Sequence, residues 1–187
     1  MSGVWFTADT HFDHKLVSEL RGFGTPEEHD QEVVRRWNKR VRPGDQVWHL
    51  GDVGIGALAR SLPWMEQLNG TIHLITGNHD ACSPVHRQSH KHLREWMGQF
   101  ETVQAYARRR IVGRSVLLSH YPYEGDHTAT ERYSQYRLRD EGLWLLHGHT
   151  HSPERINGRQ IQVGVDAWGL APVNIDEIAE LMLEHDG

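Results

Sequence analysis

Five short apolar runs in this 187-residue chain each lead into a cluster of Asp, Asn or His, and this repetition constrains the fold more than any other feature. Val4 to Ala8 precedes Asp9-Thr10-His11. Gln46 to Leu50 precedes Gly51-Asp52, and Thr71 to Thr76 precedes Gly77-Asn78-His79-Asp80. Val116 to Ser119 is followed by His120, and Leu143 to Leu146 by His147-Gly148-His149-Thr150-His151. Apolar runs of this length, bounded by turn residues, read as buried strands. If they are parallel neighbours, all five clusters lie at carboxyl ends of strands, where open α/β sheets form their ligand sites.

The intervening stretches read as helices. Thr25-Pro26-Glu27-Glu28 opens one: Thr25 caps it, Pro26 suits the first turn and Glu28 completes a capping box. It runs to about Arg40 with Val33, Val34 and Trp37 on one face. Further helices are expected over Ala57 to Leu68, interrupted near Pro63, over residues 87 to 98 and 129 to 140, and from Asn174 to about Leu183. Pro43-Gly44 and Asn69-Gly70 are turns. Glu101 to Arg110 reads as one strand, joined through Gly113-Arg114 to Val116. Asn157-Gly158 signals a hairpin that pairs Arg155 with Gln160 to Val165. The alternation is that of an α/β protein. No repeat or low-complexity tract divides it, so residues 1–187 form one domain.

The lone cysteine, Cys82, excludes a disulfide framework and a cysteine-based zinc site. Lys+Arg number 20 and Asp+Glu 25, for a net charge of −5. That balance disfavours attachment to nucleic acid by bulk positive charge but leaves a local basic cleft open. Asp9 comes too early for a secretory signal, and no run approaches the roughly 18 apolar residues of a membrane span. A cytoplasmic protein without a membrane partner is expected.

Fifteen histidines are the unusual number. The five clusters offer carboxylate, imidazole and amide oxygen without thiolate, a donor set suited to manganese, iron or zinc. Asp-x-His and His-x-His are expected on extended backbone, so that two ligands approach one metal, or two adjacent ones, without strain. Gly51, Gly77 and Gly148 each precede a proposed ligand and would let the backbone swing close. Each cluster alone has an ordinary reading. Gly51-Asp52 is a common turn, His149-x-His151 a coincidence in a histidine-rich chain, Asp9 a cap and His120 a core histidine. Five in order, each after a strand, are not explained that way.

The order Asp9-x-His11, Gly51-Asp52, Gly77-Asn78-His79-Asp80, His120, Gly148-His149-x-His151 resembles the calcineurin-like metallophosphoesterases over residues 4 to 151. Thr10-His11-Phe12-Asp13-His14, Trp37-Asn38 and Val163-Gly164-Val165-Asp166-Ala167-Trp168 are similar to a small bacterial and phage branch of that family. The resemblance implies a four-layer α/β/β/α sandwich with two mixed sheets and a centre of two divalent transition-metal ions, manganese foremost, with iron and zinc as alternatives. It implies that Asp9, His11 and His151 hold one metal, that Asn78, His120 and His149 hold the other, and that Asp52 bridges them. His79 would stand beside the scissile phosphate as a catalytic acid.

The implied activity is hydrolysis of a phosphate ester, diester in preference to monoester, by in-line attack of hydroxide held between the metals. A nucleotide or nucleic-acid end is among the substrates to be considered. A catalytically weak metal-binding scaffold for protein or nucleic-acid partners is the alternative, which loss of ligands would favour; none is lost. An amidohydrolase-type zinc enzyme, suggested by His-x-His, needs a barrel of about 250 residues. Asp80 would orient His79 or cap the next segment. His14 is a candidate for a contact behind the ligands or to substrate. His147 reads as structural, and Arg108-Arg109-Arg110 as a solvated hairpin face.

Overall fold

Two five-stranded mixed sheets stack face to face in the computed structural model, which describes residues 2–186. In the first, β1 (Val4–Thr7), β2 (Gln46–His49), β3 (Thr71–Ile75) and β4 (Thr102–Gln104) run parallel. The second is ordered β5 (Tyr106–Ile111), β6 (Arg114–Ser119), β7 (Trp144–His147), β9 (Gln160–Gln162), β8 (Ile156–Asn157), and its three central strands are parallel. The short β10 (Val173–Asn174) returns antiparallel to β1. The helices are α1 (Lys15–Leu20), α2 (Pro26–Arg40), α3 (Leu58–Met65), α4 (Ser89–Met97) and α5 (Ile175–Asp186).

Period-two alternation on β2 and β3 builds two cores from one sheet. Trp48, Leu50 and Ile75 join Phe6 against Val116, Leu118, Trp144, Leu146 and Ile161 of the second sheet, with Ile178 and Met182 of α5. Leu74 faces the other way, onto Val33 and Val34 of α2, Leu58 and Met65 of α3, and Trp96 of α4. Val47 packs with Trp37 and Val41. Full burial of each large side chain contributes about 1.5–3 kcal/mol. The expected α/β sandwich of two mixed sheets is the observed one. Both sheets present the carboxyl ends of their parallel strands at one rim, where the five polar clusters lie.

Local expectations fare unevenly. Thr25 Oγ1 accepts the Glu28 N–H at 3.1 Å, while Glu28 reaches Gly24 N at 3.0 Å rather than the cap residue itself. α3 passes through Pro63 and stops at Met65, two residues later. The expected strand from Glu101 to Arg110 is two: β4 pairs with β3, β5 pairs with β6, and the chain changes sheet at Ala105. The turns sit one residue from their expected places, at Val112-Gly113 and Gly158-Arg159. α1 is an element that the sequence pattern does not announce; its six residues are capped by His14, whose Nδ1 accepts from Val17 N at 3.4 Å.

The expected helix over 129–140 is a loop with one 3-10 turn, Ser134–Tyr136. Arg137 explains it. Its guanidinium donates to the carbonyls of Gly125 at 2.8 Å and Arg132 at 3.1 Å and pairs with buried Asp126, so side-chain donors organise a backbone that has no apolar face to bury.

Candidate metal centre

The loops after β1, β2, β3, β6 and β7 carry the clusters, and backbone bonds lock them together. Asp9 N donates to Gly51 O at 2.9 Å, His11 N to Asp52 O at 3.1 Å and Gly148 N to His120 O at 3.0 Å. The extended, unstrained backbone expected for Asp-x-His and His-x-His is not what forms. Asp9, His11, Asp52, His149 and His151 all have positive φ, between 51° and 72°. Such residues cost on the order of 1–3 kcal/mol each and persist only where the surroundings over-determine them. The left-handed turns bring the side chains of residues two apart toward one centre.

Three glycines are required by close approach. Gly51 (φ +92°) lies against the backbone of Gly77, and a Cβ at either would strike the other's loop. A Cβ on Gly148 would lie 2.6 Å from both Ala8 Cβ and Asp9 Oδ2. Asp80 secures the same junction. Its buried carboxylate accepts the N–H of Gly77 (2.7 Å), Asp52 (3.0 Å) and Val53 (3.0 Å). It thus caps neither the next segment nor His79, but ties the third loop to the second. Burial and the neighbouring Asp52 push Asp80 up to about 7.

Asp52 stands in the middle. Its Oδ2 is 3.4 Å from His120 Nε2, 3.7 Å from His11 Nε2 and 4.0 Å from His79 Nε2. Asn78 Oδ1 is 3.2 Å from His120 Nε2, and His11 Nε2 is 3.2 Å from His151 Nε2. Asp9 reaches the His149 N–H at 3.0 Å, and the donor atoms of Asp9, His11 and His151 lie within 4.8 Å of one another, as do those of Asp9, Asp52 and His120. All seven proposed ligands are therefore gathered in one place. His79 diverges from Asn78 as adjacent residues must, and its side chain is 36 % exposed at the mouth.

Partners behind the rings set the tautomers. His120 Nδ1 faces the carbonyl of Leu50 at 2.7 Å, which only accepts, so Nδ1 carries a hydrogen and Nε2 is the atom directed at Asp52. His151 Nδ1 donates to Asp166 at 2.9 Å, and His149 Nε2 donates to Asp126 at 3.1 Å. Each ring thus keeps one nitrogen free to ligate.

Burial and the Asp52 carboxylate set the electrostatics of the cluster. Burial opposes charge on His120, yet the adjoining Asp52 outweighs it and lifts the imidazole to about 9. Burial lifts Asp9 to about 6 and drives His11 well below the ordinary imidazole range. Buried carboxylates and imidazoles in this density are stable only when paired or coordinating metal. His11 Nδ1 also has no hydrogen-bond partner among the described residues. The nitrogen and oxygen donors gathered around the buried Asp52 carboxylate fit divalent cations.

The calcineurin-like phosphoesterase superfamily domain matches residues 4–167. The chain belongs to that superfamily. A gene 66 protein of Mycobacterium phage L5 is 43% identical, covering 97% of this chain and 95% of that one. An uncharacterized protein of Methanocaldococcus jannaschii is 29% identical over 97% and 92%. A crystal structure of a protein of unknown function from Aquifex aeolicus superposes with a TM-score of 0.73 at 25% identity, over 97% of this chain and all of that one.

Three residues of this calcineurin-like centre escape sequence reasoning. Asp166 lies in the Val163–Trp168 segment, but nothing in that string reveals its hydrogen bond to His151. Arg21 of the α1 cap grips Asp166 at 2.8 and 2.7 Å and reaches the carbonyls of Asp9 (2.8 Å) and Thr10 (3.3 Å). Asp126 holds His149 from the 122–137 loop, with Arg132 and Arg137 on its carboxylate. The pairings of Asp166 with His151 and Arg21 and of Asp126 with His149 link residues 15, 145 and 23 apart in sequence, so no local spacing announces them. His14 lines the cleft with its ring 5.2 Å from that of His11. His147 is buried and structural. Arg108 and Arg110 face solvent on β5, while Arg109 covers Trp48 at 5.3 Å.

Proposed function

We propose that the chain is a metal-dependent phosphodiesterase. The supporting observation is the gathering of seven nitrogen and oxygen donor residues, Asp52 among them, from five loops, with the rings of His120, His149 and His151 each anchored through one nitrogen. Asp9, His11 and His151 would hold one cation, Asn78, His120 and His149 the other, and Asp52 both. Bound there, two divalent cations would neutralise the phosphate and lower the pKa of water.

The chain's own residues do the rest. Asp126, Asp166 and the Leu50 carbonyl orient the rings. Arg21 balances the charge of Asp166. His79 lies outside the seven proposed ligands, at the mouth of the cleft, and in this reading it hands a proton to the leaving oxygen. Burial lowers its pKa below the ordinary imidazole value. An adjoining phosphate anion opposes that shift and favours the protonated form. A diester leaves as an alkoxide or phenoxide that such an acid assists.

The test is a panel of phosphomonoesters and phosphodiesters assayed with manganese after chelator treatment, alongside elemental analysis. Two metals per chain and faster diester turnover are expected, and Asp52→Asn should weaken both sites. A protein that takes up no metal on manganese soaking would overturn the proposal.

A further inference from the structure

His79 and Asn78 line two separate hollows. One, about 640 Å³, is the cleft of the candidate centre itself: His11, Asp52 and His151 form its floor, and Leu16 and Leu20 of α1 with Arg132 and Tyr133 of the 122–137 loop wall it outward. The other, about 580 Å³, lies between α3 and α4, against Leu58, His86, His92 and Trp96. Both are of the size that takes a sizeable organic group. Trp96, buried in the core against Phe100, forms the floor of the second hollow.

The second hollow has a basic border. From His86 to Arg94 the chain carries Arg87, Lys91, Arg94 and three histidines, with no carboxylate until Glu95. The three cations are exposed, and each is next in sequence to a lining residue, Gln88, His92 or Glu95. Arg94 sits in the last turn of α4, where a cation suits the helix dipole, but Lys91 does not serve the helix. Lys91 lies in the first turn of α4, which holds no acidic residue, and cations there oppose the helix dipole. None of the three is in an ion pair among the described residues. A chain with net charge −5 that gathers unpaired cations beside its candidate active site has built a local anion surface.

We infer that this protein takes single-stranded nucleic acid, seated with its scissile phosphodiester at His79, one nucleoside in each hollow and the flanking phosphates along Arg87, Lys91 and Arg94. Aromatic and imidazole rings with hydrogen-bonding edges suit unstacked bases, and cations suit the backbone between them. The inference rests on the phosphodiesterase reading for the scissile bond but not for binding.

The two are separated by measuring binding and turnover independently. Fluorescence anisotropy of the manganese-loaded protein with a cleavage-resistant phosphorothioate oligothymidylate of about 12 nucleotides, within the usual single-strand site size, reads binding. Turnover of bis(p-nitrophenyl) phosphate reads the chemistry. The variant Arg87→Gln/Lys91→Gln/Arg94→Gln should bind the oligonucleotide at least about tenfold more weakly. Its salt slope should fall by about 2, because each phosphate that a cation no longer neutralises removes roughly 0.7. Its turnover of the small diester should be unchanged. Replacing Arg108, Arg109 and Arg110 by Gln, on the far hairpin, should alter neither.

An oligonucleotide that does not bind, or binds the α4 variant as tightly as the parent, would overturn the inference even if the small diester is cleaved. Salt-sensitive binding abolished in the α4 variant alone would sustain it even if no diester is cleaved, in which case only the proposed chemistry fails.

Discussion

His79 and Asn78 show how much one peptide bond decides. Asn78 turns its amide oxygen to His120, and His79 faces the cleft at the junction of two hollows. His79→Ala should therefore retain its metal content in elemental analysis and lose about 10²- to 10⁴-fold in kcat, the scale of a positioned proton donor. The loss should shrink for esters with good leaving groups. Depletion of metal in that variant would instead make His79 a ligand. The residue scale also explains why histidine dominates here. An imidazole can be anchored through one nitrogen while the other ligates, as the bonds of His120, His149 and His151 to Leu50, Asp126 and Asp166 show.

At the scale of elements, the strands need anchoring at the end opposite the centre. Asp45 provides it, accepting from Gly3 N at 2.7 Å, Trp5 Nε1 at 2.9 Å and Arg42 N at 2.9 Å, and so binding the starts of β1 and β2. These donors, Arg42 N–H foremost, hold its carboxyl below the usual value. The sign follows: the ionised form stabilises the fold above the unfolded-state pKa, and the contribution fades as pH falls through the lower folded-state pKa. Asp45→Asn should cost about 1–3 kcal/mol near neutral pH. Urea melts at about pH 7 and about pH 3 would check this, because the gap between parent and variant should narrow in acid; a gap unchanged by pH would show that the charge is not its source.

Over the whole molecule, the candidate centre draws on both sheets and on loops up to 142 residues apart, from Asp9 to His151, so filling it should stabilise the entire sandwich. At free metal one hundred times the dissociation constant, one site adds about 2.7 kcal/mol. For a domain of this size that raises Tm by about 5–10 °C. Thermal denaturation of manganese-loaded and chelator-treated protein measures it, and coincident Tm values would show that the loops are held without metal. No helix among the described residues is long and apolar enough to cross a membrane.

Taken by itself, the sequence determined the alternation of strands with helices, the gathering of Asp9, His11, Asp52, Asn78, His120, His149 and His151, and the cap of α2. These depend on local signals: apolar period, turn residues and a polar cluster after each strand. Tertiary structure alone decided the left-handed backbone of five of those residues, because loop-to-loop hydrogen bonds impose it against local preference. It also decided the split at Ala105, since which sheet a strand joins depends on its partners rather than its own residues. Finally, it decided the loop at 129–140 and the roles of Arg21, Asp126 and Asp166. There, charged side chains find partners that helical spacing does not bring together, and the energy of satisfying them in a low-dielectric interior outweighs helix propensity.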